Sequence, residues 1–211
     1  MNQNKDFRTA LALSIFTIVY NIVEGSVSVY FGASDETLAL FGFGVDSFVE
    51  VISGFGIAHM IWRMQRSSVD QRDHFEVTAL RITGFAFYLL VLGLLVGAAL
   101  SLINQNEPNT TVVGIIISSL SIIIMYLLYK AKLKVGRRLN SQPIISDANC
   151  TKTCFYLSFI LLTSSLLYEF LDIPYVDAIG SIGIAYFAFK EGREALEMAK
   201  SKRLACSDNC G

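Results

Sequence analysis

The chain has 211 residues, 53% of them hydrophobic, with a mean hydropathy of +0.51 and a formal net charge of −1. The apolar share exceeds the roughly 45–50% of an ordinary soluble domain and is gathered into long blocks, which excludes a conventional soluble core and indicates a polytopic membrane protein. The near-zero net charge names no partner, because the signal lies in where the charges fall, and no nucleic-acid partner is expected.

Taken in chain order, six blocks are long enough to cross about 30 Å of hydrocarbon. They run roughly Thr9–Phe31, Thr37–Trp62, Thr78–Ile103, Val112–Tyr129, Cys154–Leu171 and Pro174–Lys190. The first is too long for a cleavable signal and lacks a small-residue cleavage site. The fifth has a polar approach, Asp147–Cys154. The predicted fold class is therefore all-α, a six-transmembrane-helix bundle, with residues 1–195 forming the membrane domain and residues 196–211 a short cytoplasmic tail.

Basic residues set the orientation. Lys5 and Arg8 precede span one; Arg63, Arg66 and Arg72 follow span two; Lys130, Lys132, Lys134, Arg137 and Arg138 follow span four; Lys200, Lys202 and Arg203 follow span six. The alternate connections carry none, so both termini are expected in the cytoplasm. A bacterial inner membrane or an equivalent one fits this topology.

Span one contains Asn21 and Glu24 within YNIVEGSVSVYFG, readable as a hydrogen-bonded pair or as polar groups with a function. Span two carries Asp46 and Glu50 in an otherwise apolar run. Residues four apart share a helix face. A charge at bilayer depth costs about 2.5–3.5 kcal/mol, so two on one face call for a compensating partner, and a divalent cation is the most economical one. A hydrogen-bonded pair or a salt bridge to Arg81 or Lys152 is the plainer alternative. His59 and His74, near the end of span two and beyond it, read as ordinary interface histidines.

The approach to span five reads SDANCTKTC, with Cys150 and Cys154 four apart and Asp147 three before the first thiol. The cysteines also read as small apolar core residues, and Asp147 reads equally as a helix N-cap. Four groups from two helices can build a tetrahedral N/O/S shell of the kind zinc takes, with thiolates favouring softer ions and carboxylates harder ones. Asp177, just past Pro174, reads as a capping or interface residue or as part of a proton path. In the tail, Cys206 and Cys210 form a weak metal-capture signal and read more simply as incidental thiols.

The stretch LALFGFGVDSFVEV is similar to the second membrane helix of the cation diffusion facilitator family, and SDANCTKTC resembles that family's fifth helix. The family pattern there is Ala-Asp-Ala-x-His-x-x-x-Asp, so Cys150 falls at the usual His and Cys154 at the usual Asp. The short branch of transmembrane protein 163-like zinc transporters looks closest, and the cytoplasmic metal-binding domain of other members is expected to be missing. The resemblance implies efflux of a divalent metal, commonly zinc, by proton antiport through a site between helices two and five. It also implies Asp46, Glu50, Cys150 and Cys154 as metal ligands. Asn21 and Glu24 depart from the family pattern by adding polar groups near the site, and Glu24, Asn21, Asp147 and Asp177 are candidates for a place behind the ligands or on a proton path. Family members are commonly homodimers, largely through the domain expected to be missing, so the oligomeric state stays open.

The ligand chemistry gives the same mechanism independently. A carboxylate or thiolate must lose its proton to bind a metal, so a site exposed alternately to the two sides exchanges metal for protons. No permanent cofactor is expected; Zn2+ or another divalent ion is substrate. No nucleophile motif, metalloprotease helix or phosphate loop accompanies the acids, so an enzyme is not expected. The alternative reading is a membrane metal-binding regulator that does not transport.

Overall fold

The computed structural model describes residues 3–35, 37–66, 73–104, 111–171 and 175–201. The Cys206/Cys210 pair lies outside them. Six helices follow in order: α1 (Gln3–Ser34), α2 (Leu38–Arg66), α3 (His74–Asn104), α4 (Val112–Arg138), α5 (Gln142–Leu171) and α6 (Val176–Ser201). No strand occurs among the described residues. The first five helices are each long and apolar enough to cross a membrane. The sixth is apolar to Phe189 and charged beyond it, and its Ile179, Tyr186 and Phe189 stay exposed like the lipid-facing side chains of the other helices. The protein is a multi-pass integral membrane protein of all-α class.

Every helix outruns its apolar block at one end or both, α5 and α6 by most. α5 opens at Gln142 rather than near Cys154, and α6 continues to Ser201. At α5 the cause is local. α4 ends in a tight turn in which Ser141 N donates to Gly136 O at 3.0 Å and Asn140 N to Arg137 O at 3.2 Å. Asn140 takes the left-handed conformation this closure needs, with φ 47°. The chain re-enters a helix at once, so Asp147 lies well inside α5 and the helix-start reading of that residue is corrected.

Polarity is inverted relative to a soluble bundle. Phe16, Val23, Phe85, Leu89, Ile116, Leu127 and Ile179 face outward, while Ser14, Asn21, Glu24, Ser28, Asp46, Ser118, Ser121 and Ser158 are buried. Hydrocarbon solvates the apolar side chains, and the polar ones find partners inside. The closest pairings are α1 with α2, α3 with α6 and α4 with α5. At the α1–α2 crossing a Cβ on Gly44 would stand 2.7 Å from Val29 N, so only glycine permits that approach.

The two ends of the bundle differ. Arg63 and Arg66, Arg137 and Arg138, and Lys200 occupy the last turns of α2, α4 and α6. Arg138 Nη1 lies 3.8 Å from Asp6 Oδ1 at the start of α1, which ties these basic residues to one end. The opposite end is knit by carboxylates that cap foreign helices. Asp177 of α6 accepts Leu38 N (2.8 Å) and Ala39 N (3.2 Å) at the start of α2, and Glu169 of α5 accepts Thr111 N (3.1 Å) at the start of α4.

Candidate metal site

Between the basic end and the bundle's middle lies a hollow of about 60 Å³. Its wall comes from α1 (Ser14, Thr17), α2 (Glu50, Ser53, Gly54, Ile57), α3 (Leu80, Thr83, Phe87), α4 (Lys132), α5 (Asp147, Cys150, Thr151, Cys154) and α6 (Glu191, Ala195, Met198). Beyond it lies an apolar core cluster: Leu40, Phe43 and Val49 from α2, Leu90 and Leu94 from α3, Leu157 and Leu161 from α5, and Ile184 and Ala188 from α6.

The change from core to hollow comes at one level on α2, α3, α5 and α6. α2 changes between Val49 and Glu50, α5 between Leu157 and Cys154, α6 between Ala188 and Glu191, and Phe87 of α3 belongs to both. These residues form the floor. There Cys154 Sγ touches Glu50 Oε1, joining α5 to α2, while Asn21 Nδ2 of α1 donates to Glu50 Oε2 at 2.8 Å. Cys150, one turn toward the basic end, lines the wall, and both cysteines are reduced thiols.

Asp46 lies one turn beyond the floor and does not line the hollow. It is 3% exposed, and its Oδ1 has no hydrogen-bond partner. A buried carboxylate oxygen with nothing to accept is costly unless something visits it. Glu24 stands nearby on α1, accepting from Tyr20 Oη at 2.7 Å, with the Ser47 hydroxyl 3.2 Å from its other oxygen.

Of the eight residues singled out from sequence, the structure thus brings Asn21, Glu50 and Cys154 into contact, sets Cys150 on the same hollow, and seats Asp46 and Glu24 beside its floor. Asp147 is on the hollow's wall, bound to Lys132 of α4. Asp177 is elsewhere, capping α2 at the opposite end. Two residues were missed. Lys132 was counted only among the basic residues that follow span four, and Glu191, just past the sixth block, was not singled out.

A separate group sits where α2 meets α3. His59, Asp73 and Glu76 bring ligand-type atoms within 4.8 Å of one another. Arg63 already fills the centre, with Nη1 2.8 Å from Glu76 Oε1 and 3.3 Å from Asp73 Oδ2. Asp73 and Glu76 also cap each other's backbone N–H groups (2.9 and 3.3 Å), a reciprocal box that starts α3. His59 is therefore engaged in an ionic clasp between two helices.

Residues 10–201 match the family described as the cation efflux transmembrane domain. The chain belongs to the cation efflux family. This cation efflux chain is 29% identical over 182 residues to an uncharacterised transporter of Methanocaldococcus jannaschii, a match covering 83% of the chain and 63% of that protein. It is 24% identical over 198 residues to the manganese efflux system protein MneP of Bacillus subtilis, covering 87% of the chain and 65% of that protein. The chain spans a little under two thirds of the length of these curated relatives.

Proposed function

We propose that this protein exports a divalent metal cation, zinc foremost, by exchange with protons through the site between α2 and α5. The observation that carries the reading is the meeting of Glu50 and Cys154 at the inner end of a polar hollow within the membrane. Glu50, Cys150 and Cys154 receive the ion from the hollow. Asp46, with its unpartnered oxygen one turn deeper, takes it as the floor opens. Asn21 orients Glu50, as a hydrogen bond to a ligand does in metal sites generally. Glu24 passes a proton toward the α1–α2 interface in this reading, which its hydrogen bonds with Tyr20 and Ser47 support.

Each ligand must be deprotonated to hold the metal, so loading releases protons and unloading takes them up. The basic end carries the hollow, and by the positive-inside rule it faces the cytoplasm, which makes this an inward-facing arrangement. One relative is named for manganese efflux, and carboxylate donors accept Mn2+ as thiolates accept zinc.

Purified protein in liposomes tests this. Metal uptake should be saturable, should accelerate with a pH gradient and should depend on Asp46 and Glu50. Binding without flux would make the protein a membrane metal-binding regulator and overturn the transport reading.

A further inference from the structure

We propose that Glu191 of α6 is a further ligand of the transported cation, so that the floor of the hollow draws carboxylates and thiolate from three helices and accepts oxygen-preferring divalent ions of the Mn2+ type. The inference rests on the transport reading above.

The placement comes from the face of α6. Ile184 and Ala188 are fully buried in the apolar core; Glu191, Ala195 and Met198 follow on the same stripe and line the hollow. Glu191 is the first residue of that stripe past the core, at the level where Glu50 and Cys154 meet. Glu50 and Glu191 thus bring two carboxylates, and Cys154 a thiol, to one level of the hollow. An independent feature of the same hollow is a buried oxygen left without a partner: Asp147, 7% exposed on the wall two turns toward the basic end, keeps Oδ2 unbonded although its Oδ1 holds Lys132.

Glu191 also borders a second cavity, between α5 and α6, beside Lys152, Lys190 and Glu194. It is the residue common to the two cavities that could meet an ion. Its oxygen donor raises the carboxylate share of the shell, and carboxylates suit Mn2+ where thiolates suit zinc and cadmium.

The test uses the full chain in liposomes, with Mn2+ and Cd2+ as probes, and compares Glu191→Gln, Glu191→Asp, Glu50→Gln and Glu194→Gln. Melting of each purified variant in detergent checks its folding. Glu191→Gln is expected to raise the KM for Mn2+ by about tenfold and that for Cd2+ by less. Glu191→Asp is expected to recover part of the loss, and Glu194→Gln, which lines only the second cavity, to match the unaltered protein. Direct Mn2+ binding to the solubilised variants gives the same ranking without transport. If Glu50→Gln abolishes uptake while Glu191→Gln keeps both KM values and Mn2+ affinity, the Glu191 proposal is wrong and the α2–α5 site stands. If Glu50→Gln transports normally, the site itself is wrong and the proposal goes with it.

Discussion

Lys132 Nζ lies 3.1 Å from Asp147 Oδ1, with the two side chains 3% and 7% exposed, so a full ion pair sits inside the membrane domain on the wall of the hollow. Thr151 completes it: its hydroxyl accepts from Lys132 at 3.0 Å and donates to Asp147 O at 3.1 Å. Breaking a buried pair by removing one partner strands the other charge, at a cost of about 3–5 kcal/mol. Lys132→Met should therefore lower the melting temperature of the detergent-purified protein sharply. Lys132→Met combined with Asp147→Asn should recover most of the loss; a double variant as unstable as the single one would show that Lys132 stabilises through packing alone.

Asp46→Ala should abolish metal uptake while leaving the protein inserted and folded. The lost oxygen has no hydrogen-bond partner, so the substitution removes no internal bond at Oδ1. Uptake by reconstituted vesicles and a melting curve on the same preparation read the two effects separately; normal uptake would remove Asp46 from the path.

Cys154→Ser should change which ion is carried. The hydroxyl keeps the shape and replaces a soft donor with a hard one, so Cd2+ and Zn2+ uptake should fall relative to Mn2+. Competition between Cd2+ and Mn2+ in one uptake assay measures the ratio, and an unchanged ratio would return Cys154 to the role of a packing residue.

Asp177→Ala should cost stability rather than affinity. Removing the carboxylate deprives the first N–H groups of α2 of their acceptor, a loss worth about 1 kcal/mol at a helix start. The melting temperature should drop while the KM for metal stays put. A raised KM with unchanged melting would instead place Asp177 on the ion or proton path.

The start of α4 at Val112 was visible as the first residue of an apolar run, and the acids of α2 stood out because lipid leaves no other place for them. The start of α5 was not visible in the same way. Hydropathy reports contact with lipid, whereas Asp147 and Thr151 are helical residues turned toward Lys132 of another helix, and their polarity is answered inside the bundle. Glu191 was hidden for a related reason. It stands in Lys190-Glu191-Gly192-Arg193-Glu194, which reads as a solvated helix end. Contacts such as the close approach of Gly192 to Phe87 on α3 fix how α6 is rotated, and they are not written in the local sequence. The i,i+4 spacing put Asp46 and Glu50 on one face correctly, yet it could not say that the hollow stops between them.

That stopping point is expected to make the protein electrically tight. The polar space ends at Glu50, and beyond it Leu40, Phe43, Leu94 and Leu161 pack into an apolar cluster that no hydrated ion enters. Bilayers loaded with it should carry no more current than bare lipid, and a cell could hold many copies without draining its membrane voltage.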